Sequence, residues 1–459
     1  MKRPRVLVIA EAANPEWVSV PLVGWSHALA LREVADVHLV TQIRNRKAIV
    51  AAGLEPERDF TAIDSEAVAR RLWRLGTWLR GDKGKAWTVV TALDGLAYYY
   101  FEWLVWKRFG AEIESGAIDV VHRITPLSPT TPSLLARRCQ RAGVPFVLGP
   151  LNGGVPWPRG FDGARRQERE WLSYVRGLYR LLPGYRSTRR AAAALLIGSQ
   201  ATWEDMPARY HSKCVYVPEN AIDPVRLPSD LDRAAPASSA QRGPLRVCFL
   251  GRLVPYKGPD LLIEALLPLL REGRVELELI GDGPLMGPLR ERVESEGVAQ
   301  AVRFRGWMDH ADALRQLASA HVLGLPSIRE FGGGVVLEAM AVGAVPVVVA
   351  YGGPAELVTP RTGFALRLGT RLEIVRQLTE TFDRLTRARS ELPVMAEAGR
   401  RRVQVHFTWS AKARQTAAVY AWVLGGTPKP DFGRPFPDTD AGAVGESSTG
   451  GLAAAARPD

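Results

Sequence analysis

The apolar positions of this chain fall into short uninterrupted runs set between longer amphipathic stretches. Residues 5–10 (RVLVIA) read as a buried strand, and residues 24–34 as a helix with Trp25, Ala28, Leu29 and Leu31 among its apolar positions. Residues 36–41 give the next strand, and this strand–helix–strand opening predicts a parallel sheet with helices on its faces. Further strands are predicted at 119–122, 145–149, 191–198 and 213–217, with a Ser/Thr/Pro-rich helix start from Thr125 onward. The pattern then breaks at residues 223–244, a linker rich in Pro, Ser, Ala and charge. It resumes with strands at 245–250, 321–325 and 345–350 and helices at 372–385, 394–405 and 406–424. From Gly425 the chain has no period, and residues 425–459 read as a disordered tail. A chain of 459 residues exceeds one hydrophobic core, so two α/β domains are expected, 1–222 and 245–405.

The chemistry concentrates in residues 327–343, SIREFGGGVVLEAMAVG, between two of the predicted strands. Glu330 falls on a loop, Gly332, Gly333 and Gly334 follow, and a short apolar helix runs to about Gly343. Glycines ahead of a helix let its backbone N–H groups approach an anion closely. Glu338 sits in the second turn, where an unpaired carboxylate on an apolar helix would be costly. Taken alone, such a glutamate more often caps a helix or ion-pairs with a neighbour. Upstream, LRVCFLGRLVPYKG places Gly251, Arg252 and Lys257 just beyond a strand. Arginine grips a diphosphate bidentately and lysine acts as a point charge, although such a pair by itself is more often surface charge. IGDGP supplies Gly281 and Gly283, and RGW supplies Trp307, each after a strand of the same sheet. Open α/β sheets bind ligands at those strand ends.

These segments resemble the family 4 (group 1) retaining glycosyltransferases. The string E-FGGGVVL-E matches their E-x7-E signature, and EAMAVGAVPVV and GGPAELV match its flanks. The resemblance covers residues 245–405 by motif and the first half by pattern only. It implies a GT-B fold, with two Rossmann-like domains facing each other across a cleft. The first would bind the acceptor and the second the nucleotide sugar, while residues 406–424 would cross back as a helix onto the first domain. It further implies that Gly251, Arg252, Lys257, Gly281, Gly283, Trp307, Glu330, Phe331, Gly332, Gly333, Gly334 and Glu338 bind the donor. Glu338 would take the ribose hydroxyls, while Glu330, Arg252, Lys257 and His122 would serve catalysis. Two departures stand out: one glycine, Gly24, remains where relatives carry a pair, and Ile124 replaces the second histidine of an H-x-H pattern that begins at His122.

Arg252 and Lys257 would neutralise the leaving diphosphate, and the leaving phosphate would deprotonate the acceptor on the same face. No cofactor or metal is expected, since residues 245–405 carry no D-x-D motif and cations already balance the charge. A glycosidase carboxylate pair is excluded, because cations and a glycine loop serve a diphosphate that a glycosidase lacks. A sugar-nucleotide epimerase, an α-glucan synthase and a non-catalytic sugar-nucleotide-binding subunit stay open as alternatives.

Composition adds one question. The net charge is +12, and residues 70–109 combine arginine and lysine with dense tryptophan and tyrosine. That segment is either two core helices with a solvated basic face or a contact for an anionic membrane surface. Residues 159–190 are a second basic stretch, and nucleic acid is not expected as a partner. The loop GPLNGGVPWPRG is an acceptor-side wall or a plain turn. Cys139, Cys214 and Cys248 lack metal-ligand spacing and suit a reducing compartment. The opening apolar run is too short for an export signal, and no run reaches spanning length, so a cytoplasmic location is expected, with a glycan or lipid-linked acceptor in bacterial envelope assembly.

Overall fold

The computed structural model describes residues 3–66, 87–153, 157–158, 161, 180, 182–228 and 243–438. The predicted basic segment over 70–86, most of the stretch 159–190, much of the linker and residues 439–459 lie outside the described residues.

Seven parallel strands form the first sheet: β1 (Arg5–Ala10), β2 (Asp36–Gln42), β3 (Phe60–Ile63), β4 (Val120–Thr125), β5 (Phe146–Leu151), β6 (Ala194–Ile197) and β7 (Cys214–Tyr216). Their order is β3-β2-β1-β4-β5-β6-β7. Every residue of β4 and β5 is buried, as expected for strands covered by helices on both faces. The helices are α1 (Val20–Leu31), α2 (Arg46–Ala51), α3 (Trp87–Glu114), α4 (Leu135–Arg141), α5 (Tyr185–Ala191) and α6 (Gln200–Asp205). α1 starts four residues earlier than the periodicity suggests, because Pro21 occupies its first turn. Gly24 therefore lies inside the helix, where a Cβ would overlap the Ala12 carbonyl and touch Thr125. α3 turns Tyr98, Phe101, Glu102, Val105, Phe109 and Ile113 inward at helical spacing.

The second sheet has six parallel strands: β8 (Leu245–Leu250), β9 (Val275–Ile280), β10 (Val302–Gly306), β11 (Val322–Leu325), β12 (Val345–Val349) and β13 (Phe364–Leu366). Its order is β10-β9-β8-β11-β12-β13. The helices are α7 (Pro259–Arg271), α8 (Met286–Ser295), α9 (His310–Ser319), α10 (Gly334–Val342), α11 (Gly353–Leu357), α12 (Arg371–Arg387) and α13 (Leu392–His406). α12 opens with a capping box made by Thr370 and Glu373. Strand order reverses between β8 and β11, and the loops leaving those two strands flank the resulting crevice.

The chain passes between the domains twice. At the crossing, Ile222 N–H donates to the Phe407 carbonyl at 2.7 Å, and Trp409 N–H donates to the Ile222 carbonyl at 3.2 Å. The last helix, α14 (Trp409–Val423), packs against α1, with Thr416 Oγ1 3.2 Å from His27 Nε2. None of the described helices is long and apolar enough to cross a membrane.

The disordered-tail expectation fails for residues 425–438. Phe436 is 2% exposed, with its ring 5.0 Å from His406, 5.3 Å from Phe407 and 5.5 Å from Tyr216. Arg402, itself buried, donates to the carbonyls of Phe436 and Pro437 at 2.9 and 2.8 Å. Composition averaged over a window hides one aromatic whose pocket is built from two distant segments. Truncating a buried phenylalanine typically costs about 3–5 kcal/mol. Phe436→Ala should therefore lower the unfolding free energy measured in denaturant by that order, and a loss below about 1 kcal/mol would contradict the packing.

Candidate functional site

The second sheet sets out the site. Lys257 follows β8 and Glu330 follows β11, and the reversal of strand order between them brings Lys257 Nζ to 2.9 Å from Glu330 Oε2. Both side chains are less than 20% exposed, at 17% and 19%, so breaking the pair would leave a poorly solvated charge. Gly251 lies under the aliphatic stem of Lys257. Gly281 adopts φ 129°, and a side chain there would overlap the Gly251 carbonyl. Gly283 abuts the Leu253 backbone, and the turns after β8 and β9 are further laced by Leu253 N–H to the Asp282 carbonyl at 2.9 Å. Arg252 stands exposed at the rim.

Gly333 takes the left-handed conformation, φ 62°, that turns the loop into α10. The first domain meets this loop directly. Asn152 Nδ2, beyond β5, donates to the Phe331 carbonyl at 3.3 Å, and any side chain on Gly332 would overlap Glu219 and Asn220. The Arg329 guanidinium lies between the rings of Trp157 (4.9 Å) and Phe331 (5.2 Å), so the loop after β5 reaches the second domain here. Trp307 is 76% exposed beyond β10.

Glu338 does not stand alone on α10. Its Oε1 lies 2.9 Å from Nε2 of His310, the first residue of α9. The hydrogen bond and charge of Glu338 raise the His310 pKa above its ordinary value. The sequence offered no signal for His310, since nothing in its spacing relates it to residue 338.

His122 requires a correction. β4 continues past it to Thr125, so the ring lies in mid-strand and fully buried. Its Nδ1 is 2.7 Å from the Tyr420 hydroxyl and its Nε2 is 2.7 Å from the Gly149 carbonyl. Burial lowers its pKa to about 4. Both nitrogens are used to anchor α14 and the end of β5, and the ring does not face the cleft. Thr125 is likewise engaged, with its hydroxyl bonded to the backbone of Ala12. Among the described residues no three His, Cys, Asp or Glu side chains gather as a metal site.

The model for glycosyl transferases group 1 matches residues 232–384. A GDP-mannose-dependent monoacylated alpha-(1-6)-phosphatidylinositol monomannoside mannosyltransferase of Corynebacterium glutamicum is 31% identical over 293 residues, which is 60% of this chain and 70% of that protein. The chain belongs to the group 1 glycosyltransferases. Another relative of this group 1 chain, the MMP alpha-(1->4)-mannosyltransferase of Mycolicibacterium hassiacum, is 34% identical over 167 residues, covering 36% of this chain and only 40% of that protein. Among solved structures, HepE of Anabaena in complex with UDP superimposes with a TM-score of 0.56 at 16% identity, covering 91% of this chain and all of that one. WaaG, a glycosyltransferase involved in lipopolysaccharide biosynthesis, gives 0.52 at 17% identity, covering 92% of this chain and all of its own. At such identities the likeness establishes the fold, which is GT-B.

Because Glu338 raises the His310 pKa, the pair is fully formed below the ordinary histidine value and is lost as pH rises through the raised one. Glu338→Gln should therefore move the His310 ring titration, followed by NMR, back down toward 6.5. An unmoved titration would remove Glu338 as the cause.

Proposed function

We propose that this chain is a retaining glycosyltransferase that moves a sugar from a nucleoside-diphosphate donor to a glycan or lipid-linked acceptor. The observation that carries the reading is the Lys257–Glu330 pair at 2.9 Å beside the strand-order reversal, with the glycine-preceded start of α10 adjoining it. Departure of a diphosphate leaves negative charge on phosphate and positive charge on the sugar. Lys257 and Arg252 serve the first, together with backbone N–H groups at Gly332 to Gly334. Glu330 serves the second, and a diphosphate would share the Lys257 cation with it. Glu338 takes the ribose hydroxyls once His310 yields it. The departing phosphate accepts the acceptor's proton from the same face, which retains configuration and needs no protein base.

The donor assignment is tested by calorimetry with UDP and GDP. Glu338→Ala and Arg252→Ala should each weaken binding by about 1.5–3 kcal/mol, the worth of a hydrogen bond to a charged group. Glu330→Gln should cut turnover of the sugar nucleotide far more than nucleotide affinity, since its charge matters mainly in the transition state. Unchanged affinity in both alanine variants would reject the assignment.

The acceptor side carries the lipid part of the reading. On the described part of α3, Trp103 is 48% exposed, stacks with Tyr100 and lies 5.7 Å from Lys107 Nζ. Arg138 of α4 covers Trp106, and Arg137 and Arg141 are exposed beside it. An exposed indole among cations suits an anionic bilayer on the cytoplasmic side, each cation adding about 1 kcal/mol. Co-sedimentation with anionic vesicles at low salt and release at high salt are expected, with neutral vesicles binding poorly. Failure to sediment with anionic vesicles at low salt would favour a soluble acceptor.

A further inference from the structure

The loop carrying Glu330 is held by hydrogen bonds that begin in the other domain. On one side stands α11. Gly353 N–H, its first residue, donates to the Glu330 carbonyl at 3.1 Å, and Gly353 fits so closely on Phe331 that a Cβ would overlap the Phe331 carbonyl. From the same short helix the Glu356 carboxylate crosses to the first domain. It accepts from Gln200 N–H with both oxygens, at 3.0 and 2.9 Å, and from the Tyr216 hydroxyl at 2.6 Å. Gln200 begins α6 and Tyr216 ends β7, so this one carboxylate ties two elements of the first domain to the backbone of Glu330. On the other side, Asn152 Nδ2 donates both to the Phe331 carbonyl (3.3 Å) and to Glu219 Oε1 (2.5 Å), while Glu219 and Asn220 fill the space against Gly332.

The placement of charge here is not what simple cohesion would select. Glu356 is 7% exposed, and burial pushes its pKa up to about 7 despite the two donors. Glu219 is also buried and raised by burial, against the Asn152 hydrogen bond and the charge of buried Lys412 of α14. Lys412 in turn is lowered to about 7 by burial and lies over the rings of Phe407 and Phe436. Apolar residues of similar volume would join two domains at less cost, whereas directed acceptors fix their relative orientation.

We propose that Glu356, supported by Glu219 and Asn152, is a positioning clamp that sets the angle between the domains and, through Gly353, the location of Glu330. The proposal rests on the donor-side reading of Glu330 given above. It adds a positioning role for a residue that touches neither nucleotide nor sugar and that reaches the reacting carboxylate through the backbone of α11.

The test uses the full chain with Glu356→Ala and Glu356→Gln. Glutamine keeps both links, since its carbonyl accepts from Gln200 and its amide donates to the Tyr216 oxygen. In Glu356→Ala, backbone amides of residues 328–334 should exchange with deuterium about tenfold faster than in the wild type, and Glu356→Gln should restore slow exchange. With UDP-glucose and GDP-mannose as probes, kcat for sugar release should fall about tenfold or more in the alanine variant with KM nearly unchanged, because misplacing a reacting group is costly while the nucleotide contacts lie within one domain. Glutamine should recover most of that loss. Unchanged exchange in Glu356→Ala overturns the clamp, and so does a glutamine variant that behaves like alanine. A rise in KM matching the fall in kcat also overturns it, by making Glu356 a general structural residue. If the wild type binds neither UDP nor GDP, the donor reading fails, and the exchange measurement still decides the clamp.

Discussion

Residues 330–334 have to be touched from both sides at backbone distance, and much of the molecule is arranged around that constraint. The second sheet presents them at the end of β11, where strand order reverses. The first domain then closes on them with Asn152, which donates to the Phe331 carbonyl, and with Glu219 and Asn220, which occupy the volume a side chain on Gly332 would need. A glycine run here is thus required twice over, by the left-handed turn into α10 at Gly333 and by the neighbouring domain. A side chain at position 332 would have to displace those of Glu219 and Asn220.

Charge in the cleft is paired across elements distant in sequence. Lys257 meets Glu330, and His310 meets Glu338, so each carboxylate of the signature already has a polar partner supplied by a different segment. Such pairing lowers the penalty of holding carboxylates in a partly desolvated crevice, and leaves Lys257 able to exchange one anion for another.

The back of the hinge is built in another way. Phe436, Phe407, His406 and Tyr216 form an aromatic cluster around Lys412, and Arg402 binds the carbonyls of the returning C-terminal segment. His122 belongs to the same bracing system, through Tyr420 of α14. The resemblance suggested a catalytic role for His122, but a strand that runs three residues past it carries the ring into the sheet, where the crossing helix supplies its partner.

Sequence alone determined the two parallel-sheet domains, since runs of Val, Leu and Ile at strand length alternating with amphipathic segments admit few other arrangements. It also singled out Lys257, Glu330, Glu338 and the glycines, because local motifs encode a local turn and the charges on it. Partners were decided by tertiary structure. His310, Asn152 and Glu219 meet the motif from separate segments, Glu356 finds Gln200 and Tyr216 in the other domain, and Phe436 finds its pocket among residues 24 to 220 positions away; no periodicity along the chain records such meetings. Hydrogen bonds and buried contacts between distant segments depend on how the two sheets are set against each other, and that orientation exists only once both cores have formed.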